Sequence, residues 1–218
     1  AEARQQAPLP SVKFYKNEWS AWYTQYDPAR ANQLLDEMGL KWDADRKWRL
    51  RPDGKPIDIL VASGHGNQIA IDFAEIIAQQ LAKVGIQVEL QTYDWGTFYG
   101  DIKGGRFQLY SLAWVGVKTP DIFRYVFHST SLPPDGANRG RFRDMTADTL
   151  IEAAEQVQDS ADQIILYRAL QERLLALLPL VPLWYEDHVY AARAGVEGYV
   201  LSADGNYDGL LTVKRDAR

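Results

Sequence analysis

The stretch that decides the fold is residues 57–92, which read IDILVASGHGNQIAIDFAEIIAQQLAKVGIQVELQT. The apolar residues 57–62 predict a buried strand, and Asn67 is placed to cap a long helix that runs to Val84. Gly85 closes this helix, and residues 86–92 alternate between apolar and polar side chains, as in a half-buried strand. A strand, a helix and a strand with short joins predict a βαβ unit with parallel strands and a right-handed crossover.

The flanking segments extend this α/β layer in both directions. Asp27-Pro28 starts a helix that ends at Gly39, because an aspartate caps free N–H groups and proline suits the first helical position. Residues 41–56 predict a hairpin or a loop. A short helix is predicted near 97–103, and residues 107–114 predict another strand.

The second half of the chain is predicted to be rich in helices. The predicted helices cover 120–128 and 146–157, and a third begins with the capping-box pattern Ser160-Ala-Asp-Gln163 and stops at Pro179. Alternating residues predict strand-like segments at 181–192 and 210–213.

Composition excludes several classes of protein. The 218 residues are 46% apolar and 24% charged, and they include no cysteine. Such a chain is not disordered, and it is neither a disulfide scaffold nor a thiolate metal protein. Its net charge of −5 is spread without a basic stripe, which argues against nucleic acid or an anionic membrane as the main partner.

The first residues of the chain and its apolar segments bear on how the protein is targeted. The sequence begins at Ala1 without a methionine or an apolar signal core, so we expect an excised or processed piece of a longer chain. No segment approaches the ~18 consecutive apolar residues of a membrane span.

Two segments carry the residue types of an anion or metal site. Residues Gly64-His-Gly-Asn67 join a strand to a helix, where backbone N–H groups can bind an anion; we favour a plain tight turn there, with a ligand-facing loop as the alternative. In Glu186-Asp-His188, alternation puts Glu186 and His188 on one face, which is only half a metal site. The sequence therefore predicts no metal site and no cofactor.

Catalytic motifs are not found. The chain has no G-x-S-x-G elbow and no cysteine nucleophile, and its carboxylates form no recognisable acid–base spacing. A hydrolase that acts through Glu186 and His188 remains an alternative, but the sequence favours a protein that is not an enzyme.

The most informative candidate for a binding site is the stretch Trp114-Val-Gly-Val-Lys-Thr-Pro-Asp-Ile-Phe123. It follows the carboxyl end of a predicted buried strand, and ligands of open α/β sheets bind at that edge. It offers an aromatic ring, a flexible glycine and free backbone groups. Core packing of Trp114 is the alternative.

From Tyr26 to Arg215 the order of elements resembles one lobe of a known family. It is similar to the carboxy-terminal lobe of the peptide/nickel group of extracytoplasmic solute-binding proteins, which includes the oligopeptide- and dipeptide-binding receptors of ABC importers. The stretches that carry the resemblance are Tyr26–Leu35, Ala78–Val88, Phe107–Gly116, Phe127–Ser129, Asn138–Phe142, Pro179–Tyr185 and Ala194–Tyr199.

The resemblance implies an α/β fold of the type II periplasmic-binding-protein kind, with a mixed, mostly parallel sheet flanked by helices. Residues 1–25 would be the return from the hinge and residues 26–218 the carboxy-terminal lobe, with the first lobe absent from this chain. The implied activity is that of the substrate-binding component of an ABC importer, periplasmic or anchored to the membrane from outside. It would bind di- and oligopeptides between its lobes and deliver them to a membrane permease.

The resemblance also implies ligand-binding residues. In well-known peptide receptors of this family, an aspartate three residues after the tryptophan pairs with the free amino group of the peptide. Here that residue is Val117, and Asp121 is a nearby substitute. A sugar, an opine or a chelated metal therefore remains an alternative ligand. The implied ligand-binding residues are Trp114, Val115, Gly116, Val117, Asp121, His65 and Tyr185.

Overall fold

The computed structural model describes residues 26–64, 68–114, 116–117, 119–181, 188–202 and 205–215. These residues form two compact units. We call residues 26–112 with 133–135 the sheet unit, and residues 113–132 with 136–215 the helical unit.

The sheet unit is an α/β layer built on a three-stranded parallel sheet. Its elements are α1 (Pro28–Glu37), β1 (Asp58–Gly64), α2 (Gln68–Ala82), β2 (Gln87–Tyr93), α3 (Trp95–Gly104) and β3 (Leu109–Tyr110). The strand order is β2-β1-β3, and β1 pairs with both neighbours in parallel. The predicted βαβ unit and its parallel pairing are therefore confirmed.

The strand predicted over residues 107–114 is much shorter in the structure. Only Leu109 and Tyr110 pair with β1. At the start of the segment, the side-chain Oε1 of Gln108 accepts the N–H of Leu60 at 2.7 Å. A side chain thus takes the place of a backbone partner, which sequence alternation does not reveal.

A buried arginine ties together the elements of the sheet unit. Arg49 is fully buried, and its guanidinium lies over the ring of Trp42. It donates hydrogen bonds to Asp36 and to the carbonyl of Leu40 after α1, and to the carbonyl of Val84 after α2. It also binds both oxygens of Asn32. Burial of this charge is tolerated because every polar direction of the guanidinium meets an acceptor.

The helical unit is built on three helices. Its elements are α4 (Asp121–Phe127), α5 (Met145–Gln156), α6 (Ser160–Leu177), β4 (Val196–Glu197), a 3-10 turn (Asp208–Thr212) and β5 (Lys214–Arg215). Strands β4 and β5 pair antiparallel. The core comprises Phe123, Phe127, Ala147, Ile151, Ala154, Tyr167, Leu170 and Leu174.

Two local predictions in this unit are wrong, and a third is not met in the part of it that the structure describes. The cap of α6 is Asp159, one residue before the predicted Ser160, because the Asp159 carboxylate accepts the N–H groups of Ala161 and Asp162. Of the strand predicted over 181–192, the described residues 181 and 188–192 contain none. Residues 208–212 form a 3-10 turn, so the last strand comes later, at Lys214–Arg215.

No helix among the described residues is long and apolar enough to cross a membrane.

Candidate functional site

A cleft of about 410 Å³ lies in the helical unit beside Trp114. Its volume falls within the usual range of small-molecule pockets. The lining residues are Trp114, Gly116, Val117, Thr119, Asp121, Ile122 and Tyr125. They come from the segment that leads into α4 and from the first turns of that helix, so the described part of the lining belongs to one short stretch of sequence.

The indole of Trp114 is held by an aromatic ring and a cation. The ring of Tyr125 meets it edge-on, with 6.2 Å between the centroids and 76° between the planes. The guanidinium of Arg139 lies over the indole, 4.8 Å from its centroid. Arg139 is buried and does not line the cleft, so its contact with the indole is outside the cleft. Two such contacts limit the rotation of Trp114 and keep it as a fixed wall.

The charged group among the described residues that line the cleft is the carboxylate of Asp121. Its Oδ2 accepts a hydrogen bond from the hydroxyl of Thr119 at 2.9 Å. Asp121 is the first residue of α4 and is exposed. Gly116 has a φ of +73°, a left-handed conformation that glycine adopts without strain. This turn carries the chain from Trp114 towards Val117.

The scaffold under the cleft is the core of the helical unit. Phe123 stacks on Tyr167 of α6, with 5.5 Å between the ring centroids. Arg124 makes a two-pronged ion pair with Glu155 of α5, and this carboxylate raises the pKa of Arg124. Burial raises the pKa of Tyr167, and the charges of Glu155 and Asp121 add to the effect. Helix α4 is thus fixed to both longer helices and presents Asp121 from a packed element.

The loop that carries Arg139 is held by a buried asparagine. Asn138 donates hydrogen bonds to the carbonyls of His128 and Phe142, and its Oδ1 accepts the N–H of Phe142. Both the nitrogen and the oxygen of its side-chain amide are therefore hydrogen-bonded, and these bonds stabilise the irregular backbone of the loop. The arginine over Trp114 is positioned by this bonded loop.

The structure brings four of the residues predicted for ligand binding to one place. Trp114, Gly116, Val117 and Asp121 all line the cleft. The other three, Val115, His65 and Tyr185, lie outside the described residues, as does most of the Gly64–Asn67 turn. Of the two residues of the hydrolase alternative, Glu186 also lies outside them, and His188 is exposed. The role of all these residues in ligand binding remains a prediction.

Sequence reasoning missed other parts of the cleft. Thr119 and Ile122 lie inside the quoted stretch but carry no chemical motif. Tyr125 follows Trp114 at a distance that no periodic pattern marks, and Arg139 belongs to a separate loop. Within the described residues, no group of three histidines, aspartates or glutamates is placed to hold a metal ion.

Comparison with known proteins places this chain in a family. Residues 1–132 match the family described as bacterial extracellular solute-binding proteins, family 5, middle region. The chain belongs to this family. Its members are described as extracellular solute-binding proteins.

Two curated relatives illustrate the similarity. Di/tripeptide-binding protein 2 of Pseudomonas aeruginosa is 28% identical over 181 residues, which are 81% of this chain and 32% of the relative. The dipeptide-binding protein of Escherichia coli is 27% identical over 200 residues, 91% of this chain and 36% of the relative. The chain therefore spans about a third of the length of these relatives.

Solved structures confirm the type II periplasmic-binding-protein fold. The oligopeptide-binding protein AppA of Bacillus subtilis, in complex with a nonapeptide, has a TM-score of 0.80 at 22% identity over 88% of this chain and 38% of that one. The mannohexaose-bound periplasmic oligopeptide-binding protein of Thermotoga maritima has a TM-score of 0.80 at 25% identity, over 97% and 44%.

Proposed function

We propose that this chain is the ligand-binding carboxy-terminal lobe of the substrate-binding component of an ABC importer. Residues 26–218 would form the lobe, and residues 1–25 would be the return from the hinge. The protein would work outside the cytoplasmic membrane, in the periplasm or anchored to the membrane surface, and would have no catalytic activity. Its partners would be the first lobe of the same protein and a membrane permease.

The ligand we propose is a di- or oligopeptide. The observation that carries this proposal is the cleft beside Trp114, in a chain of a solute-binding family whose named relatives are a di/tripeptide-binding and a dipeptide-binding protein. A fixed aromatic wall and a carboxylate give a peptide both apolar surface and a charged partner. Closure of two lobes would bury the rest of the ligand and present a new surface to the permease.

An oligosaccharide is a second candidate ligand. Val117 removes the acidic group that the family resemblance places in this loop, and a Trp beside a carboxylate suits the apolar face and the hydroxyls of a sugar. The mannohexaose-bound protein of Thermotoga maritima supports keeping this candidate.

The test is ligand identification with the full-length protein that carries this chain. Mass spectrometry of co-purified solute, followed by calorimetry with a mixed peptide pool and with mannohexaose, separates the candidates. Peptide binding without turnover supports the proposal. Binding of mannohexaose alone favours the second candidate, and release of cleaved product would overturn the receptor assignment.

A pair of tryptophan variants tests the place of binding. Trp114→Ala removes the wall of the cleft and is expected to weaken ligand binding about tenfold or more. Trp95→Ala is the matched control, because Trp95 is an exposed tryptophan of α3 outside the cleft. Equal affinities for both variants, with circular dichroism unchanged, would place the ligand elsewhere.

A further inference from the structure

The cleft beside Trp114 combines apolar walls with one acidic group. Its walls are the side chains of Trp114, Val117, Ile122 and Tyr125. Among the described residues that line it, Asp121 alone carries a charge, and that charge is negative. A ligand group that fits both features needs an apolar body and a positively charged or hydrogen-bond-donating end.

The carboxylate of Asp121 has capacity for a further donor. An ionised carboxylate accepts about four hydrogen bonds. The hydroxyl of Thr119 uses one of these positions on Oδ2, and no described lysine or arginine forms an ion pair with Asp121. Arg124, one turn further along α4, is paired with Glu155. Arg139 lies over the indole of Trp114 and does not line the cleft. Among the described residues, the carboxylate of Asp121 therefore has positions left for a donor from a ligand.

We propose that the cleft is a specificity pocket for a basic side chain, lysine or arginine, of the bound peptide. The methylene stem of such a side chain packs against Trp114 and Ile122, and its ammonium or guanidinium donates to Asp121. This inference rests on the proposed function, because it names the peptides that the receptor prefers.

The apolar walls favour a basic side chain over the amino terminus of a peptide. An amino-terminal ammonium is attached directly to a backbone carbon, and its first amide would enter the cleft with it. Burial of an amide without a partner costs free energy, and the hydroxyl of Thr119 is already engaged with Asp121. A lysine or arginine instead has several methylene groups before its charge, which match the apolar walls.

The experiment compares closely matched peptides on the full-length protein that carries this chain. Calorimetry measures the affinities for Ala-Lys-Ala and Ala-norleucine-Ala, each with a free and with an acetylated amino terminus. The variants are Asp121→Asn, which keeps the shape of the side chain, and Asp45→Asn, an exposed control outside the cleft. Both variants remove one negative charge, so the change in net charge is matched.

Three results would support the pocket, and two others would overturn it. The wild type is expected to bind the lysine peptide about tenfold more tightly than the norleucine peptide, since a hydrogen bond between charged groups is lost in the second. Asp121→Asn should abolish that preference, and Asp45→Asn should keep it. Equal binding of both peptides by the wild type would overturn the pocket while leaving peptide binding intact. A preference that depends on the free amino terminus instead of the lysine would overturn the side-chain assignment.

Failure of the proposed function gives a different result. If none of the four peptides binds, the proposal that the protein receives peptides is refuted, and the pocket is refuted with it. This holds whether mannohexaose binds or not.

Discussion

Replacement of Arg49 by methionine should destabilise the sheet unit strongly. The side chain is fully buried and donates five hydrogen bonds. Methionine fills much of the same volume but donates nothing. The carbonyl oxygens of Leu40 and Val84 then lose a donor in a region that water reaches poorly.

The expected loss in the free energy of unfolding comes mainly from those two carbonyls. A buried polar group left without its partner costs about 1–3 kcal/mol. The carboxylate of Asp36, 63% exposed, is rehydrated and adds little. We therefore expect the free energy of unfolding to fall by about 3 kcal/mol, a large share of the roughly 5–15 kcal/mol of a typical domain.

Urea unfolding followed by circular dichroism measures this loss. With a slope of about 2 kcal/mol per molar urea, the midpoint should fall by about 1.5 M. Arg51→Met is the control, because Arg51 is half exposed and meets Asp53 and Asp58 only at 3.6 and 3.5 Å. It should cost about 0.5 kcal/mol or less. If the two variants unfold at the same urea concentration, the buried guanidinium does not hold the unit together.

Two further predictions concern backbone geometry and pH. Gly85 has a φ of +82°, and an added Cβ would lie 2.6 Å from the Trp42 ring, so Gly85→Ala should cost about 2 kcal/mol or more in urea unfolding. Gly54→Ala, with a φ of +79° and nothing within 4 Å, should cost only about 1 kcal/mol; equal losses would show that the contact is relieved. The hydrogen bond from Arg173 lowers the pKa of Asp144 below its ordinary 3.8. The pair therefore stabilises the protein above that pH, and its contribution is lost as pH falls through the lowered value. Carboxyl NMR should show the Asp144 pKa rising in Arg173→Met, and an unchanged titration would contradict the pairing.

The α/β layer was predictable from sequence because its signals are local. Periodicity, an aspartate cap and closing glycines fix α1, β1, α2 and β2 within a residue or two of their observed bounds. The same periodicity predicts that Ile69 and Ile76 face inward, yet both are exposed. Helical spacing gives the face of a helix, but it does not tell how much of that face a three-stranded sheet covers.

The buried polar contacts were not predictable for a different reason. Arg49 belongs to an ordinary stretch of charged residues, and its acceptors are backbone carbonyls far away in sequence. Every residue has a carbonyl, so no pattern of residue types marks the ones that an arginine meets. The contact of Arg139 with Trp114 is made with a side chain, but these two residues are also far apart in sequence.

The acidic group of the cleft, Asp121, belongs to a helix that packs in the core of the helical unit. At Val117 an acid would lie on a loop, whereas Asp121 begins a helix whose next turn is buried through Phe123 and Phe127. Its carboxylate is therefore positioned by the packing of α4 against α5 and α6, and by the ion pair of Arg124 with Glu155. A charge on a packed element has less freedom to follow a ligand than a charge on a loop. If peptides bind here as proposed, such a site would select ligands whose own charge can reach a fixed point, and this would favour the long, flexible lysine or arginine side chain over a short amino terminus.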